Sequence, residues 1–176
     1  MIEHYGVELH AFDPTPRSVD WIGEQSLPEG FHFHPVGLCG FDGLSGFVVP
    51  RREHQFNYSS IGSEVGFGEK INCPVKRLAN LQTELAHDVI DVLKMDIEGG
   101  ELILIPCMQD FLNKYKPPIY ITLHDCFLLP EHMEMIVNTL FDIYDNCSCF
   151  NADGIKHKMN KEQLEYDKRI EELVFE

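Results

Sequence analysis

The sequence is poor in positive charge. Of its 176 residues only 14 are Lys or Arg, against 29 Asp or Glu, for a formal net charge of −15. Such a balance repels a phosphate backbone and an anionic bilayer surface, which excludes nucleic acid as a general partner and argues against membrane association. Long hydrophobic runs are missing too: no apolar stretch approaches the roughly 20 residues needed to span a bilayer. The first residues, Met1-Ile2-Glu3-His4-Tyr5-Gly6, lack the basic stretch and apolar segment of a secretory signal, so a cytoplasmic location is the expectation. No CxxC pair occurs among the six cysteines. Cys147 and Cys149 form a CxC without a second ligand pair nearby, and in a reducing compartment all six read as free thiols or small hydrophobes. A phosphate-binding glycine loop and a nucleophile elbow are likewise absent.

What is present suits one globular domain over 1–176: 44% hydrophobic and 11% aromatic residues supply one sizeable core. Val7–Phe12 alternates apolar and polar residues and stops at Asp13-Pro14-Thr15-Pro16, a strand feeding a short helix through Ser18–Ile22, with a second strand over Phe31–Val36. The glycine-rich stretch 37–70 reads as hairpins around a strand at Gly46–Pro50, with an irregular loop near Ser59-Ser60. A strand over Ile71–Val75 precedes a helix whose Leu78, Leu81 and Leu85 recur at helical spacing. Val89–Asp96 is an almost continuous apolar run, as expected of a central parallel strand buried on both faces. A helix around Met108–Lys114, a strand at Ile119–Leu123, a helix over Glu131–Tyr144, a helical tail over Lys161–Arg169 and a last strand at Leu173–Phe175 complete the reading. Alternating strands and helices imply an α/β fold with a mostly parallel sheet.

Three places carry candidate chemistry. Asp13 stands at the carboxyl end of an early strand, where ligands of α/β sheets bind and where a carboxylate can accept both hydroxyls of a ribose, although Asp-Pro is also an ordinary strand-ending turn. Asp96, Glu98 and Glu101 pack three carboxylates into six residues just past the apolar run, a clustering that asks for solvent, a cation or a substrate donor to meet the charge. Glu98 or Glu101 can equally cap the next helix. His124 ends the following strand and can take a proton from a hydroxyl or sit as a hydrogen-bonded surface residue. His32 and His34 form an HxH on one strand face, but with no third ligand assignable no metal site is assigned.

Val7–Pro16 and Asp91–Glu101 together resemble the signatures of the FkbM methyltransferases. Between them Phe33–Leu38, Phe47–Pro50 and Pro74–Leu78 keep the family's order and spacing, so the resemblance extends over roughly residues 2–124. It implies a class I methyltransferase fold, a Rossmann-like three-layer sandwich, with S-adenosylmethionine as donor and a hydroxyl of a sugar, glycan or secondary metabolite as acceptor. It further implies that Asp13 holds the ribose, that Gly37 and Leu38 lie near adenine, and that Asp96 lies beside the transferred methyl group. Glu98, Glu101 and His124 become candidates for acceptor positioning, proton removal or cation binding. The family's first strand and glycine-rich loop should precede Ile2, so the sequence reads as truncated at its N-terminus, with a slot in the middle of the sheet. Two other functions suit the same residues: a non-catalytic binding module on this scaffold, and a metal-dependent hydrolase using Asp96, Glu98 and His124.

Overall fold

The computed structural model of the protein describes residues 1–50, 58–60, 69–123, 128–150, 156–160 and 172–176. A short helix α1 (Ile2–Tyr5) precedes β1 (Leu9–Phe12), α2 (Pro16–Gly23) and β2 (Phe31–His34). Then follow β3 (Gly37–Leu38), β4 (Gly43–Val48), β5 (Lys70–Lys76), α3 (Leu78–Glu84), β6 (Leu93–Met95), α4 (Glu101–Tyr115), β7 (Ile119–Ile121) and α5 (Pro130–Ile143). The last strands are β8 (Cys147–Phe150), β9 (Lys156–Met159) and β10 (Glu172–Phe175). The expected helical tail over Lys161–Arg169 lies outside the described residues.

The α/β reading holds, with a correction to the sheet. Parallel pairing joins β1 to β2, β3 to β5 and β6 to β7, whereas β10 runs antiparallel to both β7 and β8, β8 to β9, and β4 to β5. Among the described residues the strands are mixed in direction and divided into three sheets, of order β1-β2, β3-β5-β4 and β6-β7-β10-β8-β9. The apolar run at 89–96 also behaves differently from expectation. Only Leu93–Met95 forms a strand, β6 stands at the edge of its sheet, and Val89 and Val92 are exposed. Its outward face carries Lys94, whose Nζ reaches Glu172 Oε1 at 2.8 Å on β10, two strands away. A strand that pairs on one side only can keep such a charge in water. Among the described residues β1 and β6 do not pair with each other, so the two strands expected to flank the slot each keep one edge without a strand partner.

The core lies between the five-stranded sheet and the pair α4 and α5. Leu104, Ile105, Met108 and Leu112 of α4 meet Ile136, Val137 and Leu140 of α5, Ile119 and Ile121 of β7, and Leu173 and Phe175 of β10. The helix expected around Met108–Lys114 begins earlier, at Glu101, with Pro106 inside it. An interior proline weakens a helix by about 3 kcal/mol, and burial of the apolar side chains on either side of it offsets that loss. Cys147 faces this core, and burial pushes its thiol up to about 12. The CxC motif is therefore a strand that buries a thiol.

Candidate functional site

The turn after β1 is built around one carboxylate. Asp13 Oδ1 accepts hydrogen bonds from the Thr15 amide at 2.8 Å and the Thr15 hydroxyl at 2.7 Å, and Oδ2 accepts from the Ser18 hydroxyl at 2.7 Å. The carboxylate thus sits over the first turn of α2, where the helix dipole favours negative charge. Thr15 is the N-cap and Pro16 opens the helix with its φ already suited to it. Gly37 packs against this turn: a Cβ built there would lie 3.0 Å from Pro14 Cγ and 3.4 Å from Val75 Cγ1, so only glycine fits without displacement. Leu38, next in the chain, is half-buried against the main core. Cys73 of β5 is near as well, since burial and then the charge of Asp13 raise its thiol above the ordinary value. The structure therefore brings Asp13, Gly37 and Leu38 into one neighbourhood.

The turn after β6 is tight and strained. Met95 O accepts the Thr122 amide at 2.9 Å, holding the strand end to the chain beyond β7. Asp96 is exposed and Glu98 half-buried. Glu98 has φ +53° and Gly99 φ +90°, and the Gly100 amide closes the turn on Ile97 O at 3.1 Å. Glu101 is fully buried, and its Oε1 accepts the Ile97 amide at 2.9 Å. Glu101, the first residue of α4, thus holds the turn before the helix and makes no side-chain cap to the helix itself. His124 lies outside the described residues.

A left-handed conformation at a non-glycine residue costs about 1–2 kcal/mol, while glycine gives back about 0.5–1 kcal/mol in chain entropy. Glu98→Gly is therefore expected to leave stability unchanged or raise it by up to about 1.5 kcal/mol in urea denaturation. A loss larger than that would mean the Glu98 side chain makes contacts that hold the turn.

One segment touches both turns. The Arg17 guanidinium of α2 lies 5.7 Å from the centre of the Tyr58 ring. Its neighbour Ser59 is buried and donates its hydroxyl to Glu98 O at 2.7 Å, while Ser59 O accepts the Val48 amide at 2.9 Å. Ser60 Oγ lies 3.2 Å from where a Cβ on Gly100 would stand. Tyr58-Ser59-Ser60 thus connects the helix that follows Asp13 to the turn that follows Asp96. Sequence reading placed an irregular loop here without a role. The available signal was a pair of hydroxyl residues in a glycine-rich stretch, which specifies a loop but not its partners.

The family described as the methyltransferase FkbM domain matches residues 5–145, which is 141 of the 176 residues. The chain belongs to the FkbM methyltransferase family. Its fold is similar to that of a methyltransferase FkbM from Methylobacillus flagellatus KT, with a TM-score of 0.52 at 15% identity. That similarity covers 96% of this chain and 36% of the crystallised one, so the chain spans about a third of the length of that protein. No curated protein matches the sequence. In this FkbM chain the acidic turns after β1 and β6 are two places among the described residues where side chains could meet a ligand.

The turn after β1 fits part of a nucleoside. Each carboxylate oxygen has two acceptor positions. Asp13 Oδ1 fills both with Thr15, whereas Oδ2 uses one on Ser18 and keeps one for an incoming hydroxyl. Asp13 can take one ribose hydroxyl as it stands, and a second if Ser18 or Thr15 turns its own hydroxyl away.

Proposed function

We propose that this FkbM chain carries the acceptor-side and ribose-side residues of an S-adenosylmethionine-dependent O-methyltransferase. The observation that carries the reading is the connection of the Asp13 and Asp96 turns through Tyr58–Ser60. Asp13 would accept the ribose hydroxyl at Oδ2, with Gly37 and Leu38 bordering the base. Bound there, the cofactor would supply an electrophilic methyl group to a hydroxyl oxygen of the acceptor. Asp96, exposed at the end of β6, would receive the hydroxyl proton, and Glu98 beside it would orient the acceptor. Glu101, turned inward onto the Ile97 amide, would fix the shape of that turn. The net charge of −15 disfavours polyanionic acceptors and suits a neutral hydroxylic one such as a sugar, glycan or secondary metabolite.

One observation favours a second reading. Three of the four acceptor positions of Asp13 are used within the chain, as they would be in a binding module that keeps the scaffold without the donor. Calorimetric titration with S-adenosylhomocysteine separates the two. Saturable binding is expected, weakened at least tenfold by Asp13→Ala and little changed by Asp96→Ala, which lies on the acceptor side. Tenfold is about 1.4 kcal/mol, close to the lower end of what one hydrogen bond to a charged group contributes. A wild-type chain that is folded by circular dichroism and shows no heat of binding would remove the enzyme reading and leave the module.

A further inference from the structure

We propose that β1 and β2 carry a binding site for a divalent transition-metal ion of the zinc type, formed by Glu8, His10 and His32. The three side chains each offer a ligand atom, and these atoms lie within 4.8 Å of one another. The register explains why they meet: His10 is paired with His32 across the parallel strands, and Phe12 with His34, so both members of the HxH motif share a face with His10. Glu8 precedes β1 and joins His32 directly, Oε2 to Nε2.

The chemistry of the set is that of a metal site with an open position. Two imidazoles and a carboxylate match the ligand types zinc takes when three protein groups and a water complete the shell. Bonds of about 2.0–2.1 Å place tetrahedral ligands roughly 3.3 Å apart, so the 4.8 Å spread needs only side-chain rotation to close. Glu8 and His32 are 69% and 46% exposed at their side chains, which leaves them free to rotate and leaves an ion a path in. An outer layer exists already. His10 Nδ1 lies 2.9 Å from His34 Nε2, leaving Nε2 of His10 for the ion, and the second bond of a ligating histidine fixes its ring and tautomer. The His87 ring packs edge-on against His10 at 4.3 Å.

The ion would also do structural work. A two-stranded sheet is marginal by itself, and β1 and β2 pair over only four residue pairs. Ligands from both strands make the ion a cross-link between them. The HxH motif gave one ligand of this site in the sequence; Glu8 and His10 lie 24 and 22 residues before His32 and were joined to it only by the parallel register.

The test is titration of the chelator-treated full chain with Zn²⁺ by calorimetry and with Co²⁺ by absorbance. Binding of one ion per chain with a Kd at or below about 1 µM is expected, with a melting temperature that rises as zinc is added. His32→Ala and His10→Ala should each weaken binding at least tenfold and abolish the rise, while His157→Ala on β9 should change neither. His32→Asn, a smaller disturbance, guards against a variant that fails to fold. The cobalt spectrum should lack a thiolate charge-transfer band. Binding unaltered by the His10 and His32 substitutions, or a thiolate band, would place the ion at cysteines and overturn the proposal. So would the absence of saturation below about 1 mM, which would leave the cluster a stack of histidines.

Discussion

Phe175→Ala is expected to reduce the free energy of unfolding by about 3–5 kcal/mol. Phe175 is the penultimate residue, yet its side chain is fully buried. It meets the Phe141 ring edge-on at 5.3 Å and the Tyr144 ring at 6.2 Å, and so fastens the last strand to α5. Strand β10 is no edge: it pairs with β7 through Phe175 and Ile119 on one side and with β8 through Phe175 and Cys147 on the other. Truncating the ring removes the packing of α5 on the sheet and leaves a cavity beside Tyr144, whose hydroxyl is anchored on Pro117 O at 2.6 Å. Since whole domains are stable by only about 5–15 kcal/mol, a substitution one residue from the terminus should bring the chain near the threshold of folding. Guanidinium denaturation measures it. A loss under about 1.5 kcal/mol would show that β10 frays and that the sheet is held without it.

The second large effect is at Glu101. Glu101→Ala is expected to destabilise by about 2–4 kcal/mol, the sum of a buried amide left without an acceptor and a small cavity. The amide is that of Ile97, and the side chain is fully buried beneath the turn. Glu101→Gln keeps an oxygen in the same place and is expected to stay within about 1 kcal/mol of the wild type. The pair of variants separates support of the turn from chemistry. If Glu101→Gln folds normally but abolishes the proposed methyl transfer, the carboxylate charge acts in the reaction; if it retains that activity, Glu101 only shapes the turn that presents Asp96 and Glu98.

Much of the element order was legible in the sequence, because Leu78 and Leu81, the run at Ile119–Ile121 and the alternation ending at Phe12 are local signals. The two acidic turns were legible for the same reason: Asp13 and Asp96 each follow a strand directly. Pairing was not. Val89–Asp96 has the composition of a buried central strand, but burial depends on what lies on both sides of it, and composition carries no neighbours. The place of β10 between β7 and β8 was equally invisible, since its paired residues stand 22 or more positions earlier. Glu101 shows the limit for sites. Three clustered carboxylates look alike in sequence, and only the hydrogen bond to Ile97 tells the one that holds the backbone from exposed Asp96 and half-buried Glu98.

The separation of β1-β2 from the five-stranded sheet also bears on how the molecule responds to anything it binds. The Asp13 turn belongs to the small sheet and the Asp96 turn to the large one, and the large one holds most of the core. Opening of the small sheet need not wait for global unfolding, as sub-global units of a fold open at lower free energy than the whole. A molecule held by both turns would tie these two units together. Its binding free energy would then appear as cooperativity, with the small sheet melting together with the core in the ligand's presence and ahead of it in its absence.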